Sequence, residues 1–167
     1  MKFEVRKTSL ASPIAIELIT KLNESLAAAN QDPAAHSWTL NTQDVAPGLG
    51  AFVVVYDLET NRGIACGAIR KIALNDSETE HTSKVAELKR MFVLPEYRGQ
   101  RVGSLIVGEL ERLAKLECSV ERLVLETGPY LKEAIRLYEH CGFVKIPLFG
   151  EYIEKGEDFS VCFGKSI

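Results

Sequence analysis

Apolar residues near the start of the chain recur at helical spacing. Ile14, Leu18 and Leu22 stand four apart, a stripe that predicts an amphipathic helix running to about Ala29. Ser12 can cap that helix, and Pro13 fits its first position, where a missing N–H costs nothing. Residues 30–50 hold Pro33, Pro47, Gly48 and Gly50 and read as a long connection with one more helical turn, the kind of segment that often carries function. The period then changes. AFVVVYDL (51–58) and GIACGAIRKIA (63–73) are strand-like runs, and Asn61-Arg62-Gly63 supplies the turn of a hairpin. LNDSETEHTSK (74–84) predicts a solvated loop, and VAELKRMFV (85–93) a strand that Pro95 stops.

Beyond Arg98-Gly99-Gln100-Arg101-Val102-Gly103, helical spacing returns in Val102, Ile106, Leu110 and Leu113. RLVLET (122–127) is a short strand broken by Gly128-Pro129. LKEAIRLYEHC (131–141) predicts a helix with Leu131, Ala134, Ile135 and Tyr138 on one face, and Gly142 fits the left-handed residue that ends it. FVKIPLF (143–149) and FSVCFGK (159–165) read as the last strands, around a polar loop at 150–158. The order is helix, hairpin, strand, helix, strand, helix, strand, strand. The strand–helix–strand unit at 85–127 argues for a parallel pair inside a mixed α/β fold. No repeat or linker interrupts the 167 residues, so one domain over 1–167 is expected.

Charge and composition exclude some partners. A net charge of −3 argues against generic binding to nucleic acid or an anionic membrane. No apolar run reaches the ~18 residues of a membrane span. MKFEVRKTSL carries charges where a leader would be apolar, so the expected location is cytoplasmic. Cys66, Cys118, Cys141 and Cys162 are widely spaced, with no CxxC pair and no histidine at zinc-like spacing. No metal is expected, and the thiols read as small buried hydrophobes.

Residues 98–104 are where candidate chemistry begins. A strand that ends in a glycine-containing loop and opens a helix presents free N–H groups and a favourable dipole to an anion. Gly99 and Gly103 would let backbone approach a phosphate, and Arg98 and Arg101 add charge. The pattern is neither Walker A nor the dinucleotide GxGxxG. The loop resembles the pyrophosphate loop of the GNAT N-acetyltransferase family: Arg or Gln, two residues, Gly, one residue, then Gly or Ala. Arg101 stands where that pattern has its first glycine. ELKRMFVLPEYRG before the loop and AIRLYEHCGF after the next strand resemble the same family, and the likeness covers about 51–167.

The resemblance implies a mixed, mostly antiparallel sheet, flanked by helices, with one splayed parallel pair formed by 85–93 and 122–127. Acetyl-CoA, as co-substrate, would lie in the splay. Its pantetheine arm would take the backbone groups of Met91, Phe92 and Val93, and its pyrophosphate the loop from Arg98 to Ser104. Tyr138 corresponds to the family tyrosine that gives a proton or hydrogen bond to the departing thiolate. Glu87 stands where family members often carry a general base, while the plain reading is a strand glutamate ion-paired with Lys89 on the same face. Leu131 stands where many members have an asparagine. Tyr152, followed by Ser160-Val161-Cys162, either faces the acceptor or anchors a loop. His36, Trp38 and the acidic stretch with Asp76, Glu78 and Glu80 fall in the variable segments that should build the acceptor pocket.

The implied reaction is direct acetyl transfer to a primary amine of a small metabolite or amino acid. A protein or peptide acceptor is the alternative, as are a non-catalytic acyl-CoA-binding module and a binder of another diphosphate. A homodimer is the expected assembly for a small enzyme.

Overall fold

The computed structural model describes residues 2–29, 40–74 and 84–167. His36, Trp38, Asp76, Glu78 and Glu80 lie outside the described residues. Seven strands form one sheet in the order β1-β2-β3-β4-β5-β7-β6. They are β1 (Phe3–Lys7), β2 (Gly50–Asp57), β3 (Arg62–Ile72), β4 (Val85–Val93), β5 (Arg122–Thr127), β6 (Val144–Ile146) and β7 (Val161–Ser166). Every pairing is antiparallel except β4 with β5. The helices are α1 (Pro13–Ala29), α2 (Val102–Cys118), α3 (Lys132–His140) and the single-turn α4 (Tyr152–Lys155). No described helix is long and apolar enough to cross a membrane.

The expected helices and strands are present among the described residues, with three corrections, while most of the loop expected over 74–84 and residues 30–39 of the connection lie outside them. An additional strand, β1, pairs with β2 at the sheet edge. Its Glu4, Arg6 and Lys7 mask a short Phe3/Val5 alternation, and such charges are how an exposed edge resists further pairing. The strand expected over 143–149 ends at Ile146, because Pro147 has no N–H to give the ladder. The loop expected over 150–158 contains α4, which buries Tyr152.

Helix starts and stops follow the local chemistry. Ser12 Oγ accepts the Ala15 N–H at 3.3 Å, capping α1 as expected. Gly142 ends α3 at φ +86°. Beyond it the Phe143 N–H donates to the Tyr138 carbonyl at 3.0 Å, and the two rings meet edge-on at 5.9 Å. That six-to-one bond with its apolar contact is the Schellman closure, and it clamps the ring of Tyr138.

The sheet is covered on both faces. A Cβ added at Gly67 would strike Ile106 and Met91 and crowd Leu110, so this face carries α2. Val53 lies opposite Gly67, whereas its neighbour Val54 points to the other face, where Ile14 of α1 sits over Gly63. Leu18, Val53, Val54, Ile69, Ile106, Leu110 and Leu123 are wholly buried between these layers. Gly50 opens β2 against main chain: a Cβ there would lie 2.2 Å from the Ile69 carbonyl and 2.3 Å from that of Asp44. Backbone cannot step aside as a side-chain tip can. Gly50→Ala should therefore cost about 2 kcal/mol or more. Thermal unfolding should show this as a Tm lower by about 4–8 °C.

Candidate active site

β4 and β5 run together only briefly. Val85 faces Arg122, Ala86 faces Leu123 and Glu87 faces Val124, after which the parallel pairing stops. A bulge in β4 coincides with the parting. Cys66 lies opposite Phe92 and Ala68 opposite Lys89, which leaves Arg90 and Met91 together against Gly67. Arg90 takes up the extra length in the left-handed region at φ +55°, and its carbonyl accepts the Cys66 thiol at 3.3 Å.

The bulge sets which backbone groups face the gap. The Leu94 N–H donates to the Ile64 carbonyl at 2.9 Å. By alternation Phe92 also turns its polar backbone to β3, while Met91 and Val93 turn theirs to the gap. The Val93 carbonyl there accepts Arg98 Nε at 3.1 Å. Of Met91, Phe92 and Val93, the first and last turn their backbone groups to the gap, while the Phe92 side chain is in the core.

The loop from Arg98 leads straight from this gap into α2. Gly99 turns at φ +74° with open space around it, and Arg101 takes φ +63° immediately before the helix. The position where the family pattern has glycine is thus left-handed here although arginine fills it. The first intrahelical bond is Leu105 N–H to the Arg101 carbonyl, at 3.1 Å. The N–H groups of Val102, Gly103 and Ser104 precede it in the first turn, where helix geometry gives them no acceptor. Gly103 serves packing: a Cβ there would come within 2.8 Å of Leu137, so it lets α3 sit close to this turn. Gln100 is tied by Lys2 and by the Glu96 carbonyl, which orders the outer side of the loop.

Between the parted strands lies a cleft of about 160 Å³. Met91, Tyr138, Tyr152, Lys89, Arg90 and Glu126 are among its walls. Tyr138 is 6% exposed, and burial pushes its phenol above the ordinary tyrosine range. Its hydroxyl has no hydrogen-bond partner among the described residues. A buried donor without an acceptor is uncommon in a folded protein and invites a ligand.

Glu87 does not line the cleft. Its Oε2 accepts Arg70 Nε at 3.1 Å and lies 3.0 Å from an Arg70 Nη; its Oε1 accepts the Tyr152 hydroxyl and lies 3.6 Å from Lys89 Nζ. Glu151 joins the cluster, 3.6 Å from Arg70 and 3.7 Å from Lys89. The ion pair with Lys89 that strand alternation suggested is present, and Arg70 and Tyr152 complete it. Burial pushes the Tyr152 phenol up, and the Glu87 charge adds to this. Burial lowers the Lys89 pKa, opposed by Glu87.

Glu126 on β5 is the site residue that sequence reading missed. It lines the cleft, and its Oε1 accepts the Ser160 hydroxyl at 2.7 Å. Burial raises its pKa above the usual carboxylate value; the Ser160 hydrogen bond acts in the opposite direction. Its signal was faint, a lone acid in RLVLET, which reads as an ordinary outward-facing strand position. Cys66, Cys118 and Cys162 are buried and Cys141 partly so, all as free thiols; burial pushes Cys66 up to about 12. Among the described residues no group of three His, Cys, Asp or Glu could hold a metal ion.

Comparison with known proteins agrees with this geometry. The model of the acetyltransferase (GNAT) family matches residues 16–143. An IAA acetyltransferase of Azospirillum brasilense is 31% identical over 137 residues, covering 82% of this chain and 81% of that protein. The uncharacterized N-acetyltransferase YjgM of Escherichia coli is 35% identical over 100 residues, covering 60% of this chain; the match spans about half of the relative's length, 54%. Among solved structures, a GNAT-family acetyltransferase of Streptococcus pneumoniae superposes with a TM-score of 0.69 at 18% identity, covering 99% of this chain and 100% of that one. A GNAT-family acetyltransferase of Elizabethkingia anophelis with acetyl-CoA bound gives 0.66 at 14% identity and 99% coverage of both. A family match over most of the chain and a parted strand pair that opens onto the loop before α2 lead to one conclusion: the chain belongs to the acetyltransferase (GNAT) family.

Proposed function

We propose that this protein moves an acetyl group from acetyl-CoA, the co-substrate of its family, to the primary amine of a small metabolite or amino acid, by direct attack in a ternary complex. The observation that carries the reading is the unpaired length of β4 that opens beside the first turn of α2. Met91 and the Val93 N–H have the spacing to pair with an extended amide-bearing arm, as an added strand would. Val102, Gly103 and Ser104 would hold a pyrophosphate through their N–H groups, with Arg98, Gly99, Gln100 and Arg101 forming the turn around it. Main-chain donors at the gap would also face a thioester carbonyl and stabilise the oxyanion that forms on attack.

The remaining roles follow from the chemistry. An alkylamine with a reference pKa of about 10 is an ammonium at neutral pH and must lose a proton before it attacks. Glu126 lies in the cleft with its pKa raised, which suits a proton acceptor. The amine lone pair then forms the C–N bond, the tetrahedral centre collapses as the C–S bond breaks, and the second proton leaves the nitrogen for the departing thiolate, giving a neutral amide and a free thiol. Tyr138 donates a hydrogen bond to the departing sulfur. A thiol with reference pKa of about 8.5 gives a thiolate too weakly basic to take a proton outright from a phenol near 10 or above. Tyr138 therefore stabilises the thiolate without surrendering its proton. Glu87, expected as the base, reaches the cleft through Tyr152 and Lys89 and acts as a positioning residue for both. A small acceptor fits better than a peptide because α4 folds over the sheet and buries Tyr152 against this cluster.

Thermal unfolding with ligands tests the reading. Acetyl-CoA at about 100 times its Kd should add about 2.7 kcal/mol. In a chain of this size that raises Tm by about 5–10 °C. ATP and NAD should leave it unmoved, and equal shifts from all three would overturn the assignment. A thiol-release assay with a panel of amines then identifies the acceptor.

A further inference from the structure

We propose that the acceptor carries a carboxylate as well as an amine, and that Arg90 binds it; the inference rests on the acetyl-transfer reading and names the substrate class of that site. Arg90 lies in the β4 bulge and lines the cleft. Its side chain reaches α1, where an Nη donates to Asn23 Oδ1 at 3.3 Å, a neutral partner. Among the described residues no carboxylate comes within ion-pair distance of it. Nearby Arg70 is the contrast, with Glu87, Glu151 and Asp44 at 3.0, 3.6 and 4.0 Å. Burial draws the Arg90 pKa down, the mark of a cation that has lost water without gaining a counter-charge. Arg90 is half-buried, and charges drawn partly out of water in folded proteins are ordinarily paired. The guanidinium also cannot discharge itself, so a ligand anion is the partner that satisfies it.

Two further observations fix which ligand supplies the anion. Arg90 points to the α1 face of the sheet, whereas Met91, one residue on, points to the α2 face. The pyrophosphate loop opens α2, so the anion belongs to the acceptor rather than to the co-substrate. Among the described residues that line the cleft, Lys89 is already paired with Glu87 and Glu151, whereas Arg90 carries a positive charge with no such partner and Glu126 a carboxyl. An acceptor with its amine at Glu126 and its carboxylate at Arg90 matches that polarity; an α-amino acid is the simplest such molecule.

The test uses acceptor pairs that differ only by the carboxylate: alanine with ethylamine, phenylalanine with phenethylamine, lysine with cadaverine. Thiol release from acetyl-CoA is measured for the wild-type chain, Arg90→Gln and Arg90→Lys. One desolvated charge-assisted pair predicts a preference for the acid of ~10²-fold or more in kcat/KM in at least one pair. In Arg90→Gln that ratio should fall to near one, mainly through KM, and Arg90→Lys should keep part of it because the charge remains. A Tm shift with acetyl-CoA in each variant reports that fold and co-substrate site are intact. The proposal is overturned if the amine equals or exceeds its acid in every pair, or if Arg90→Gln leaves the preference unchanged. If acetyl-CoA fails to stabilise the wild-type chain, acetyl transfer itself is wrong and the proposal falls with it.

Discussion

Replacing Tyr138 with Phe should slow acetyl transfer by a factor of ~10²–10⁴ while the protein stays folded. The ring is held independently of the hydroxyl: Phe143 packs edge-on against it, and the backbone bond that closes α3 fixes its position. The hydroxyl has no partner among the described residues, so its loss strands no buried group, and stability should be unchanged or slightly higher. On the proposed reading, what disappears is a donor to the sulfur on which negative charge grows. Losing an interaction made only as the C–S bond breaks lowers kcat and leaves acetyl-CoA binding nearly untouched. Steady-state kinetics with a fixed acceptor separate the two. A thioester of a more acidic thiol needs less help in leaving and should narrow the gap between wild type and variant. An unchanged kcat would make Tyr138 a core residue only.

Glu126→Gln should also lose ~10²–10⁴ of the rate, with a distinctive pH signature. The base works ionised, so wild-type kcat/KM should fall as pH drops through the raised pKa of Glu126, above the usual carboxylate value of about 4.3. The variant should lack that limb. Stability should move the opposite way. A carboxyl whose folded pKa lies above its unfolded one favours folding below the unfolded value and loses that contribution as pH rises through the folded value. At pH 8 the wild-type protein therefore bears the desolvation of an ionised Glu126, which Gln avoids while still accepting the Ser160 hydroxyl. The variant should unfold at the same or a higher temperature at pH 8. A variant that is both inactive and less stable there would mark Glu126 as structural.

Much of this arrangement is legible in the sequence, because its signals are local. Helical spacing in Val102, Ile106, Leu110 and Leu113, punctuation by Gly142, and the loop beginning at Arg98 each state their role within a few residues. Strand alternation alone places Glu87 and Lys89 together. What it cannot convey is the arrival of Arg70 from the adjacent strand and Tyr152 from a helix sixty-five residues on, which turns a surface-type ion pair into a buried cluster. The bulge is equally silent, since arginine has no preference for the left-handed region and nothing nearby announces an extra residue. Glu126 acquires its chemistry only from what surrounds it: Ser160 beside it and a cleft that exists because β4 and β5 part.

The extra residue at position 90 divides β4 into two reading frames. Before it, Glu87 and Lys89 lie on the face proposed for the acceptor; after it, Met91 projects to the opposite face and its main chain borders the slot. Altered acceptor choice can therefore be sought by changing the first frame with the second left intact. A segment transplanted across the junction with one residue too few would exchange the two assignments and rejoin the ladder that the fold keeps apart.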